Sequence, residues 1–228
     1  MEDYMRRTLL AGLLAASFAP MGAGAQKKDD PDKLVKDGGV QVKGWTGRTD
    51  KATQDINTAK FFSMGPALHV TSGPPATYWN PANVATGDYT VKATFTQTKA
   101  PTHPEAYGLF MGGSKLNGDE QNYLYCVVFG TGMFSIKHRY GGEVHNLVER
   151  KASDAIKKAD EAGKASNEIA WVVNGDKVAC VINGTEVQSF AKADVLGNAK
   201  LESTDGVYGI RANHNLDVHI AGFEMTKK

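Results

Sequence analysis

Two histidines and an aspartate stand close together in the stretch GIRANHNLDVHIAGFEM, residues 209–225. His214, Asp217 and His219 are residue types that ligate metals and pass protons. A transition-metal centre needs three or four ligands converging from more than one element. Locally only these three side chains offer themselves. His69, His103, His138 and His145 are scattered, with no spacing that ties them to the trio. Alternation gives a simpler reading, because Leu216, Val218 and Ile220 share one parity while Phe223 and Met225 share the other. The switch falls at Ala221-Gly222, the mark of a β-bulge. With Leu216, Val218 and Ile220 facing the core, Asp217 and His219 are expected side by side on the sheet surface. His214 then sits in a polar turn formed by Asn213 and Asn215.

Hydrolysis of a glycosidic bond asks for two carboxylates about 5–10 Å apart. Glu105, Asp119, Glu120, Glu143 and Glu149 all fall in or near loops, and no strand pattern places two of them on one face. Asp119-Glu120 in NGDEQN reads as a turn cap, with calcium, which takes hard oxygen ligands, as the alternative. No other cofactor is called for. Sugar binding asks for less: an aromatic ring to stack on a pyranose and a few polar groups for its hydroxyls. Three segments offer these. ATYWNPAN carries Tyr78, Trp79 and Asn80; PTHPEAYG carries His103, Glu105 and Tyr107; KHRYGG carries His138, Arg139 and Tyr140. If the protein were an enzyme, the acid/base groups would come from His103, Glu105, His138 and His214. The plain alternative for each segment is packing: Trp79 and Tyr107 in the core, Arg139 as a solvated edge charge.

The elements that must position these residues are strands. The period of the apolar residues is two through most of the chain. In DYTVKATFTQ (88–97), Tyr89, Val91, Ala93 and Phe95 share a face and the threonines and Lys92 take the other. NYLYCVVFG (122–130) is apolar on both faces and predicts a central strand. MFSIKHR (133–139) alternates again, with Phe134, Ile136 and His138 together. Trp171 shares parity with Ile169 and Val173 and is expected in the core. Asn174-Gly175 and Asn183-Gly184, each flanked by alternating apolar residues, predict two type I′ hairpin turns joining strands near 168–173, 178–182 and 185–190. Helix is scarce: SDAIKKADEAGKAS (153–166) reads as a loop or a turn or two of outer helix, and KADVL (192–196) as one short turn. Many short strands with close turn signals predict a sandwich or jelly roll.

The first residues belong to an address signal and not to a fold. Arg6-Arg7, the apolar TLLAGLLAASFA and the small-residue GAGA ending at Ala25 form a cleavable secretory signal over 1–25, with Met5 a second candidate start. The apolar run is shorter than the roughly 20 residues a membrane span requires. QKKDDPDK opens a mixed-charge linker over 26–36, and 37–228 reads as a single domain. The product is therefore expected to be exported, periplasmic or secreted, with no membrane span after cleavage. The net charge of +1 shows no basic excess, so a nucleic-acid partner is not expected. Cys126 and Cys180 lie in apolar strands. They read either as a disulfide, which an exported chain can keep, or as two buried thiols.

Taken together, YGLFMGG, NYLYCVVF, MFSIKHR, NEIAWVVNGDKVACVINGTEV and GVYGIRANHNLDVHIAGFEM resemble the concanavalin A-like lectin/glucanase superfamily. Within it they are most similar to the domain named for 3-keto-disaccharide hydrolases, over roughly residues 68–225. The matching patterns are strands and turns: Val178–Gly184, Gly206–Arg211 and Val218–Met225. The resemblance implies an all-β, concanavalin A-like jelly-roll sandwich of two antiparallel sheets, one of them concave and bearing a sugar site. It departs from the hydrolase-like members where YGLFMGG and YLYCVVF lack an Arg and a carboxylate, and the ExDxE pattern of the glucanase branch is absent. The expectation is thus an exported domain binding a carbohydrate or glycoside non-covalently. A keto-disaccharide hydrolase-type enzyme and a structural or protein-binding sandwich are the alternatives.

Overall fold

The computed structural model describes residues 30–228, and the expected signal at 1–25 lies outside them. Fifteen strands follow one another: β1 Gly39–Val40, β2 Thr46–Thr49, β3 Lys60–Met64, β4 Ala67–Thr71, β5 Ala76–Ala85, β6 Tyr89–Gln97, β7 Ala106–Ser114, β8 Asn122–Phe129, β9 Met133–Tyr140, β10 Glu143–Ala152, β11 Ala165–Asn174, β12 Lys177–Ile182, β13 Thr185–Ala191, β14 Gly206–Ala212 and β15 Asp217–Lys227. A single α turn, α1, covers Lys192–Val195. The strands form an eight-stranded sheet, β1-β3-β4-β15-β6-β11-β12-β13, and a seven-stranded sheet, β10-β9-β8-β7-β14-β5-β2. All pairings are antiparallel except β1 with β3. No helix among the described residues is long and apolar enough to cross a membrane.

Side-chain alternation explains the layering. In β6, Tyr89, Val91, Ala93 and Phe95 are buried and the intervening Thr and Lys residues are not. Their faces meet Leu109 and Met111 of β7, Leu124 and Val128 of β8, and Ile210 of β14 in one inter-sheet core. Trp171 of β11 is fully buried there, as its parity predicts, and its indole N–H donates to the Leu109 carbonyl of the opposite sheet at 3.0 Å. Cys126 of β8 and Cys180 of β12 are joined by a disulfide across the same core, which resolves the two sequence readings in favour of the bond.

The turns agree with the sequence at one hairpin and shift at the other. Ile182 pairs with Thr185, so Asn183 and Gly184 are the central pair, both at positive φ (49° and 80°), as a type I′ turn requires. At the earlier hairpin Asn174 pairs with Lys177, so the central pair is Gly175-Asp176. Only Gly175 has positive φ, at 55°. The expected type I′ turn at Asn174-Gly175 is therefore corrected to a turn one residue later, with glycine leading in the manner of type II′. The bulge in β15 is present: register slips between Ala221 and Glu224, with Gly222 at φ 62°. Residues 153–164 form turns and loop rather than helix.

The segment 30–36 is not the free linker expected from its charge. Asn215 Oδ1 accepts from Lys33 N at 2.8 Å, Asn215 Nδ2 donates to Pro31 O at 3.1 Å, and Val35 N donates to Thr58 O at 3.0 Å. Buried Asn215, at φ 55°, thus ties the start of the described chain to the loop before β15.

The disulfide spans 54 residues and joins two sheets, so it restricts the unfolded chain strongly. Replacing both cysteines, Cys126→Ala with Cys180→Ala, is expected to lower stability by about 2–4 kcal/mol. Urea unfolding of the variant, compared with the parent in the presence and absence of reductant, checks this. Equal midpoints would show that the bond does not stabilise the fold.

Candidate functional site

One face of the seven-stranded sheet looks into the inter-sheet core, and alternation sends every second residue the other way. Trp79 of β5, Phe110 of β7, and Tyr123, Tyr125, Val127 and Phe129 of β8 make a second apolar layer on that outer face. Lys137 and Arg139 of β9 and Arg211 of β14 share its parity. A pocket of about 400 Å³ opens over it, floored by Tyr125, Val127 and Phe129 and walled by Asp50, Lys137, Arg211, Glu105, Asn213 and His214.

The cationic wall is built around one carboxylate. Asp50 follows β2, and its backbone N–H donates to Pro75 O at 3.1 Å. Arg211 grips it with both terminal nitrogens, Nη2 donating to Oδ2 at 2.7 Å and Nη1 to Oδ1. Arg211 Nη1 also donates to Thr77 Oγ1 at 3.3 Å. Arg139 Nη2 lies 3.0 Å from the same Oδ2. Both arginine side chains are nearly buried, at 4% and 6% exposure, so two buried guanidinium groups share a single carboxylate. Burial alone would raise the Asp50 pKa, but Arg211 and then Arg139 hold it below the ordinary carboxylate value. The Arg211 guanidinium also lies 5.7 Å from the Tyr125 ring centroid. Burial of that phenol pushes its pKa up to about 12, so Tyr125 keeps its proton. Half-buried Lys137 has its pKa lowered by burial first; Glu149 opposes that most strongly, and Arg211 and then Arg150 add to the lowering.

The opposite wall is an acid–imidazole chain. His214 Nε2 lies 2.8 Å from Glu105 Oε1, and His214 Nδ1 lies 3.1 Å from Asp32 Oδ1. Asn213 Nδ2 donates to Glu105 Oε2 at 3.1 Å, and Gln54 Nε2 donates to Asp32 Oδ2 at 2.6 Å. An ionised carboxylate only accepts, so both ring nitrogens can be satisfied only when the group carries one proton more than a neutral imidazole supplies. A chain of that kind can exchange a proton with a bound hydroxyl.

Of the residues expected from sequence, Glu105 and His214 meet directly, and Arg139 joins them around the pocket through Asp50. Trp79 lies on the same outer face but lines a separate cavity of about 600 Å³ with Pro81, Leu116 and Val207. Asn80 Oδ1 accepts from Ala82 N at 2.9 Å and shapes its own strand. Two expectations are corrected by burial: Tyr78 and Tyr107 are fully enclosed between the sheets and present no ring to a ligand. Tyr107 shares its parity with Leu109 and Met111, and that parity decides its position. His138 also points inward, its Nε2 3.0 Å from Asn122 Oδ1, and burial followed by His145 lowers its pKa to about 4. It is removed from His214 by the thickness of the sheet. His103 is half-buried in the loop before β7 and lines neither cavity. Exposed Tyr140 borders a third cavity with Glu143 and the loop carrying Asp119 and Glu120. Glu120 reaches Lys115 at 3.6 Å, and among the described residues no three His, Cys, Asp or Glu side chains group as metal ligands. In the opening stretch, Asp217 faces outward from the eight-stranded sheet as expected, but its imidazole partner is His69 at 3.1 Å rather than His219. Across β15 and β4, His219 stands opposite His69, and Thr98 and Lys99 complete the grip on Asp217.

Sequence reasoning missed Asp50, Asp32, Lys137, Arg211 and Asn213. Arg211 carried a usable signal, a lone charge between Ile210 and Ala212 in an apolar strand. Asp50 and Asp32 sit in polar loop sequence and carried none.

No protein-family model matches the chain, and no curated protein does. Solved structures do. A carbohydrate binding module, CBM66, from Bacillus subtilis superposes with a TM-score of 0.57 at 11% identity, covering 83% of this chain and 99% of the module. A protein of unknown function with a galectin-like fold from Bacillus subtilis gives 0.59 at 13% identity, covering 87% and 97%. The Bacillus licheniformis β-glucanase gives 0.54 at 10% identity, covering 88% and 100%. With the two-sheet topology, these show that the chain has the two-sheet jelly-roll fold of those proteins. At such identities the likeness is one of fold, and function must be argued from the site. The nearer resemblance to keto-disaccharide hydrolases rests on the strand motifs alone.

Asp50→Asn leaves two buried guanidinium groups without a counter-charge and is expected to destabilise the fold by about 3 kcal/mol at neutral pH. The sign of the pH effect follows from linkage. A carboxyl held below its ordinary value of 3.8 stabilises fully above that pH, and the contribution fades as pH falls through the lower folded value. The gap between parent and variant should therefore be widest above about pH 5 and shrink below about pH 4. Thermal unfolding across pH 2–7 measures it; a gap that does not change with pH would contradict the assignment.

Proposed function

We propose that this chain is an exported carbohydrate-binding jelly roll that holds a sugar non-covalently in the pocket over β8, β9 and β14. The observation that carries the reading is the composition of that pocket. An aromatic and aliphatic floor of Tyr125, Val127 and Phe129 lies under a ring of donors and acceptors from Arg211, Asp50, Lys137, Asn213, Glu105 and His214. A saccharide ring presents that pairing in reverse: an apolar C–H face and a hydroxyl rim. The volume of about 400 Å³ suits one or two sugar rings. The fold supports the reading further, since a carbohydrate binding module and a β-glucanase share it. Export is supported by the sequence signal at 1–25 and by the disulfide, a bond that persists in oxidising compartments.

A second reading is favoured by one observation, the direct contact of His214 with both Glu105 and Asp32. On that reading the chain cleaves a glycoside of the keto-disaccharide type, with Glu105–His214 moving the proton. Both readings are tested on one sample. Saturation at 100 times Kd stabilises the folded state by about 2.7 kcal/mol. Thermal unfolding against neutral, acidic and keto-sugars should therefore move Tm upward by a few degrees for one sugar class. Absence of any shift would sink the binding reading. Chromatography of the same mixtures reports cleavage. If product forms, Glu105→Gln should slow it by 10²-fold or more; unchanged turnover in that variant would remove Glu105 from the chemistry.

A further inference from the structure

The cationic wall is over-supplied with positive charge. Arg139 and Arg211, both buried, share the single carboxylate of Asp50, which leaves the trio at a net charge of +1. Arg139 Nε and Arg211 Nε are buried without a hydrogen-bond partner. Lys137 adds a further charge on the same face and lines the pocket. Among the described residues no carboxylate oxygen lies within 4 Å of Lys137 Nζ. The lysines Lys92, Lys115 and Lys177, which do pair with carboxylates, are by contrast half exposed. Arg150 stands nearby, its guanidinium 4.7 Å from the centroid of Phe129 on the pocket floor. A half-buried ammonium that feels Arg211 and Arg150, with Glu149 offsetting them from beyond ion-pair distance, is an unfavourable arrangement for a merely structural lysine. It becomes favourable once an anion occupies the space beside it.

We infer that the pocket selects acidic saccharides, with the anionic group of the sugar seated against Lys137 and Arg211 and the ring hydroxyls turned to Glu105, His214 and Asn213. The inference rests on the carbohydrate-binding reading and narrows it. The two walls have opposite character, so they orient the ligand as well as bind it. A neutral sugar satisfies the hydroxyl wall alone. A carboxylate or sulfate ester on the ring satisfies both.

Titration calorimetry of the purified protein separates the possibilities. The ligands are trigalacturonate, its fully methyl-esterified form and a sulfated galactan oligosaccharide, each run at low and at physiological salt. Trigalacturonate or the sulfated sugar should bind at least tenfold more tightly than the neutral ester, with the preference falling as salt rises. The rank of the two acids then tells which anion the wall fits. Lys137→Met, which removes a half-buried charge while keeping the length of the side chain, should erase the preference, so that acid and ester bind with equal affinity. Equal binding of acid and ester by the parent protein would overturn the inference while leaving sugar binding intact. So would a preference that survives in Lys137→Met. Failure to bind any of the three, in a protein whose Tm also ignores the wider sugar panel, would remove both readings together.

Discussion

Asp50 is a single carboxylate held by two buried guanidinium groups, and the outer face of the seven-stranded sheet is organised around it. Arg139 comes from β9 and Arg211 from β14, strands separated in the sheet by β8 and β7. Their side chains can converge only because Asp50, arriving from the far edge beyond β2, reaches over the sheet to meet both. The contact locks the loop after β2 onto β14 and covers the aromatic row of β8. It also explains why β8 is buried on both faces although one of them is not in the inter-sheet core. A desolvated charge cluster of this kind is a poor source of stability. Its cost is offset by the disulfide and the Trp171–Leu109 bond that clamp the two sheets directly beneath it.

Much of the fold was legible because period-two alternation carries both the element type and the face. Tyr89 to Phe95, the doubly apolar β8, Trp171 and the bulge at Gly222 all fall where parity puts them. Parity also decides Tyr107, whose neighbours Leu109 and Met111 are core, in favour of the packing alternative. The hairpin at Gly175 shows a finer limit. Asn-Gly marks a turn, but pairing one residue later decides which two residues are central, and that depends on the register of β11 against β12.

The site was legible only in part, and the reason is distance along the chain. Glu105 and His214 could be named as acid/base candidates, yet nothing local says that a loop before β7 and a turn before β15 meet at 2.8 Å. Asp50 lies 161 residues from Arg211, and Asp32 lies 182 from His214. Asp32 sits among Lys, Asp and Pro and Asp50 among Arg, Thr, Lys and Gln, in sequence that reads as solvated loop. Asn215 is the exception that could have helped. A residue that tolerates positive φ and offers both a donor and an acceptor is suited to fasten a passing strand, and it fastens 31–33.

The two walls of the pocket also differ in how firmly they are held, and this bears on what the site can do. Lys137, Arg139 and Arg211 stand on strands paired on both sides, so their backbone positions are set by the sheet. Glu105, His214 and Asp32 stand on a loop, a turn and the segment leading into the fold. A binding site tolerates that asymmetry, because hydroxyls can be met by side chains that adjust while the anchor stays fixed. Catalysis does not tolerate it well, since a displacement of about 1 Å in an acid/base group can cost 10²-fold in rate. The rigid half of this pocket is the half that would hold a charge, and the adjustable half is the one that would do chemistry. That division favours recognition as the primary task of the face, with proton transfer dependent on how tightly residues 31–33 stay fastened to Asn215.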